Sequence, residues 1–125
     1  MNLLLDTHVL LWWLNGHPKL SKKSQAAIAE GKNLVFVSAV VVWEIRIKVA
    51  LGKLEIPRNF KRVLESQPFQ MLDITVDHAH AVGDLPAYHS DPFDRMLVAQ
   101  AKVEGFTLVT HDVRLKKYKI SLMEA

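Results

Sequence analysis

The chain has 125 residues, half of them hydrophobic and 23% charged, with six histidines and no cysteine. That length holds one domain around a single core; the composition excludes wholesale disorder, and the missing cysteines exclude a disulfide framework or a thiolate metal site. A formal net charge of +3 is mildly basic and by itself describes no more than a solvated surface.

The chain opens on MNLLLDTHVLLWWL. No basic residue precedes the apolar run and Asp6 interrupts it, which argues against a signal peptide. No later stretch reaches the roughly 20 apolar residues that span a bilayer. A single cytoplasmic domain over residues 1–125, without a membrane partner, is expected. Asn2–Leu5 is the first predicted strand, followed by helices over Thr7–Leu14 and Ser21–Glu30, the second stopping at Gly31. A strand over Leu34–Val37 leads into a helix over Ala39–Leu51, whose Val40, Trp43, Ile47 and Leu51 recur at helical spacing before Gly52. A short helix over Asn59–Ser66, a strand over Met71–Ile74 and a helix from His78 to Val82 come next. Pro92–Glu104 is the most regular helix, opened by Asp91-Pro92 and closed by Gly105; strands over Thr107–Val109 and Ile120–Leu122 end the chain.

The five apolar runs are short and continuous, as in strands buried on both faces. Their alternation with helices predicts an α/β fold, a three-layer α/β/α sandwich around a mostly parallel sheet. Within it, four acids occupy equivalent places. Asp6 follows the first strand, Glu44 lies in the helix after the second, Asp94 is in the first turn of the Pro92 helix, and Asp112 follows the fourth strand. Ligands of open parallel sheets bind beyond the carboxyl ends of the strands, so these acids are expected to converge. Taken singly, each has a structural explanation: Asp6 and Asp112 as caps or turn residues, Glu44 as an i,i+4 partner of Lys48, and Asp94 as part of a capping arrangement begun by Asp91.

Together they point elsewhere. Glu44 sits in Val40-Val41-Val42-Trp43-Glu44-Ile45, and a carboxylate buried there requires a partner. Four carboxylates in one pocket raise one another's pKa unless a cation neutralises them. Oxygen ligands without cysteine or a histidine cluster favour Mg²⁺ or Mn²⁺, and such an ion suits phosphodiester cleavage. With four of the thirteen acids assigned to the pocket, sixteen basic residues face nine acidic ones elsewhere, a surface suited to a polyanion. Arg46, Lys48, Lys53, Arg58, Arg95 and the Arg114–Lys119 segment are the candidate phosphate contacts. His8, His89 and His111 are read as surface or substrate-side groups, and Trp12, Trp13 and Trp43 as core residues.

The stretches LLLDTHVLLWWL, VSAVVVWEIRIKVALGKL, HSDPFDRMLVAQA and LVTHD resemble, in order, the motifs of the VapC-like branch of the PIN-domain family. The resemblance implies that Asp6, Glu44, Asp94 and Asp112 bind the metal and carry the catalysis, with Asp91 left as a helix cap. It implies hydrogen-bonding roles toward the carboxylates or the attacking water for Thr110 and Ser38. It further implies a Mg²⁺- or Mn²⁺-dependent endoribonuclease, the toxin of a toxin–antitoxin pair, with an RNA substrate, a cognate antitoxin and a homodimeric state. A receiver-like phosphoacceptor domain is the alternative, but it needs an acceptor Asp ending the third strand and a Lys after the fifth. Here Asp73 lies within the third run and the late lysines precede Ile120. A non-catalytic RNA-binding module would tolerate loss of the acids, and all four are present.

Overall fold

The computed structural model describes residues 1–125. Five strands, β1 (Asn2–Leu5), β2 (Leu34–Ser38), β3 (Gln70–Leu72), β4 (Thr107–Thr110) and β5 (Leu122–Glu124), form one sheet in the order β3-β2-β1-β4-β5. Every pairing is parallel, with Leu3 opposite Val35 on one side and Leu4 opposite Leu108 on the other. Parallel neighbours require crossover connections, and helices supply them: α1 (Thr7–Asn15), α2 (Lys22–Ala29), α3 (Ala39–Ala50), α4 (Phe60–Glu65), α5 (Val76–Val82) and α6 (Pro92–Glu104).

Side chains of successive strand residues point to opposite faces. Leu3, Leu4 and Leu5 are nevertheless all fully buried, so helices cover both faces of β1 and the three-layer expectation holds. Burial on both faces does not extend to the edge: Met71 of β3 is 52% exposed, because an edge strand has a neighbour on one side only. The chain runs from β1 outward to β2 and β3, then returns to the other side of β1 for β4 and β5. The connections after β1 and β4 therefore diverge and leave a crevice at their carboxyl ends.

β2 and β4 each run one residue past the sequence reading, and β3 and β5 are displaced from it. β3 covers Gln70–Leu72 rather than Met71–Ile74. Thr75 caps α5 at once, its Oγ1 accepting from the His78 amide while His78 Nδ1 accepts from the Thr75 amide, a reciprocal cap that starts the helix before His78. β5 begins at Leu122 rather than Ile120, because Val113–Tyr118 winds into a 3₁₀ helix that ends on Lys119 at φ 57°. Trp43 also departs from expectation. It is 58% exposed and meets Phe93 edge-on at 5.5 Å. No helix is long and apolar enough to cross a membrane.

Candidate active site

The crevice holds a cavity of about 200 Å³ without one hydrophobic side chain in its lining, and Asp6, Glu44, Asp94 and Asp112 all border it. The expected convergence is observed. Each acid arrives through the local structure that also explained it singly. Asp6 caps α1, its Oδ1 accepting from the Val9 amide at 2.8 Å, and it is only 4% exposed. Glu44 is 5% exposed; one oxygen accepts from the Thr7 hydroxyl and the other from Lys48 Nζ at 2.6 Å. The i,i+4 pair with Lys48 is thus real, but it lies within the pocket rather than on a solvated face. Asp91 caps α6, its Oδ1 accepting from the amides of Phe93 at 2.8 Å and Asp94 at 3.1 Å. That leaves the Asp94 carboxylate, one turn in, to face the cavity. Asp112 caps the 3₁₀ helix and is gripped by Arg114, whose Nε and Nη2 donate at 2.9 and 2.7 Å.

The electrostatics divide the acids. Burial, reinforced by Asp91, Asp6 and Glu44 and opposed by His89, pushes Asp94 up to about 7. Burial also raises Asp6, against the Thr110 hydroxyl, the Val9 amide and His111, which favour its ionised form. Asp112 is held well below the usual carboxylate range by the Arg114 bonds, with His89 contributing. Carboxylates crowded to this degree are what a divalent cation relieves. The oxygen-rich donor set fits a hard ion such as Mg²⁺ or Mn²⁺.

His89, expected on the surface or the substrate side, stands inside the cluster. Its Nε2 lies 3.1 Å from Asp112 Oδ2 and 3.5 Å from Asp94 Oδ2, and the three residues' ligand atoms lie within 4.8 Å of one another. Its Nδ1 accepts from the Asp91 amide at 3.1 Å, so a proton resides on Nε2. His89 therefore enters the cluster as a donor to Asp112, with Asp94 Oδ2 alongside at 3.5 Å. Thr7 is a second unforeseen member; its position directly after Asp6 was the available signal. His8 and His111 border the same cavity, with His111 Nδ1 3.8 Å from Asp6 Oδ2.

The remaining expected residues divide. The Thr110 hydroxyl accepts from the Asp112 amide at 3.0 Å and supports Asp6. Ser38 is fully buried and caps α3, its Oγ accepting from the Val40 amide. Lys48 and Arg114 reach the cavity. Arg46 and Arg58 do not; they border a separate apolar groove beside α3 and α4, and Lys53 stays exposed. Arg95 is corrected as a phosphate contact. Its guanidinium is taken up by the carbonyls of Pro86, Val82 and Leu85 at 2.9, 3.2 and 3.3 Å and by the Tyr118 hydroxyl at 3.3 Å.

The family profile of the PIN domain matches residues 3–120. Ribonuclease VapC22 of Mycobacterium tuberculosis is 30% identical over 124 residues, covering 93% of this chain and 91% of that protein. Among solved structures, VapBC2 from Rickettsia felis bound to a promoter DNA fragment superposes with a TM-score of 0.75 at 19% identity, over 99% of this chain and 98% of that one. DNA-bound VapBC from Salmonella typhimurium gives 0.72 at 18% identity, over 99% and 98%. At these identities the structural likeness speaks for the fold.

Proposed function

The chain belongs to the PIN domain family, and from that premise we propose that it is a Mg²⁺- or Mn²⁺-dependent endoribonuclease, the toxin of a toxin–antitoxin pair. The observation that carries this reading is the meeting of Asp6, Glu44, Asp94 and Asp112 in one polar cavity at the divergence of β1 and β4. The name of the M. tuberculosis relative supports the activity. The antitoxin partner is supported by a toxin–antitoxin complex from Klebsiella pneumoniae that shares this fold.

Asp6, Glu44, Asp94 and Asp112 would hold the ion. Once bound, it supplies Lewis-acid polarisation of a phosphate oxygen and lowers the pKa of a water. The chain's own residues do the rest. Thr7 and Lys48 fix the Glu44 carboxylate, one on each oxygen, and His89 donates to Asp112. Asp94, raised to about 7 by burial and by its acidic neighbours, is the carboxylate that a bound ion would return to its charged form. Arg114, exposed at the rim beside Asp112, meets the incoming phosphate. Attack breaks the bond from phosphorus to the 3′ oxygen, leaving a 5′-phosphate on one fragment and a 3′-hydroxyl on the other. The homodimer is part of this reading, and the exposed Trp43 beside Phe93 offers it an apolar surface.

Mapping the ends of total RNA cut by the purified protein in Mn²⁺ tests the proposal. Fragments bearing 5′-phosphates are expected. Cyclic phosphate ends would mean that the 2′-hydroxyl is the nucleophile and would overturn it.

A further inference from the structure

A cluster of aromatic rings, with His8 and His111 exposed and Trp12 and His17 half-buried, begins where the acids end. His8 and Trp12, four residues apart, share one face of α1, and their ring centroids are 6.0 Å apart. His111, from the turn after β4, meets His8 edge-on at 4.7 Å and Trp12 at 5.2 Å. At the far end, Gly16 adopts φ 60° and closes α1, which only glycine does at little cost. The His17 amide then donates to the Trp12 carbonyl at 2.9 Å, and the His17 ring stacks on Trp12 at 6.0 Å with 27° between planes.

Trp12 packs in part against the core, but the histidines beside it are poorly explained that way. His8 is exposed, and the His111 side chain is 44% exposed. A solvated helix face carries charged side chains instead. Beyond them lies a hollow of about 190 Å³ lined by Trp12, Trp13, Gly16, His17, Leu20 and Gln25, with no carboxylate to repel an anionic strand. His17 Nδ1 accepts from the Lys19 amide, so a proton resides on Nε2, where it can donate to a base edge.

We propose that the rings of His8, Trp12, His111 and His17 form a stacking platform for a nucleobase of single-stranded RNA, adjacent to the phosphate held at the acids. This rests on the nuclease reading of the acidic cavity. Unpaired bases stack on indole and imidazole planes largely without regard to sequence, whereas a base inside a duplex keeps its faces covered by its neighbours. The platform therefore selects single strands and loops, and it sets the register of the strand through a base rather than through charge.

The test compares a fluorescent single-stranded RNA with a strand of equal length carrying abasic riboses, bound to the Asp94→Asn protein in Mg²⁺. The base-bearing strand is expected to bind about tenfold more tightly. The double variant His8→Ala/His111→Ala should reduce that preference to about twofold or less at an unchanged melting temperature. Trp12→Phe should retain the preference, because a ring remains. Equal binding of the two strands, or an undiminished preference in the double variant, overturns the platform. If that happens while the wild type cuts RNA, the platform alone fails. A wild type that neither cuts RNA nor binds either strand removes the nuclease reading and the platform with it.

Discussion

Asp94 and Asp112 share the partner His89 yet respond to pH in opposite ways. Burial raises Asp94 to about 7 from an unfolded value near 3.8, so the folded metal-free protein binds this proton more tightly than the unfolded chain does. The associated stability is complete below pH 3.8 and lost as pH rises through about 7. Asp112, depressed by Arg114, contributes stability above 3.8 that is lost as pH falls below that value. Urea melts in EDTA should therefore find Asp94→Asn more stable than wild type at pH 8, by on the order of 1–2 kcal/mol, with the difference shrinking toward pH 5. An advantage independent of pH would contradict this account. The two aspartates of DPFDR should also separate in activity. Asp94→Asn is expected to abolish cleavage, whereas Asp91→Asn should keep most of it, since asparagine also caps helices. Equal losses in a cleavage assay would show that Asp91 does more than cap. The acids were legible in the sequence because strand ends mark where a parallel sheet collects its ligands. His89 was not legible, because its role depends on a fold of the segment before α6 that no periodicity announces.

That segment shows how one element serves another. Arg95, on α6, binds the carbonyls of Val82, Leu85 and Pro86, and the Tyr118 hydroxyl joins it while accepting from the His89 amide at 2.9 Å. The guanidinium thus pins the loop that carries His89 to the acids. From sequence alone Arg95 reads as one more surface cation beside a catalytic acid; only the loop's return over α6 turns it inward. Arg95→Ala should cost roughly 1–3 kcal/mol, because several carbonyls lose a charged donor. Arg95→Lys should recover little of that, since a lysine cannot reproduce the planar fork. Full recovery by lysine in denaturant melts would reduce the clamp to a simple charge. The same limit on local reading explains the displaced strands. The apolar runs at Met71–Ile74 and Ile120–Leu122 were visible, but the Thr75 cap and the 3₁₀ turn ending at Lys119 decided which residues joined the ladder.

At the scale of the whole molecule, the fold sets an acidic crevice into a basic surface and leaves apolar ground beside it. Trp43, Ile74, Phe93 and Met96 border a hollow of about 410 Å³ next to the acids. Helical spacing places Trp43 among core positions, and a sequence cannot distinguish a helix face turned to the core from one turned to a second chain. Trp43→Glu should convert the proposed homodimer to monomer in light scattering without loss of secondary structure; an unchanged mass would place the interface elsewhere. The central claim, that the carboxylate cavity hydrolyses RNA through a divalent ion, is tested most directly by one cleavage assay. Wild-type protein stripped with EDTA is incubated with labelled RNA before and after Mn²⁺ is restored, with Asp94→Asn carried through the same steps. The account predicts no cutting by the stripped protein, cutting after Mn²⁺ is restored, and none by the variant at any point. Cleavage that persists in EDTA, or that survives Asp94→Asn, would contradict it.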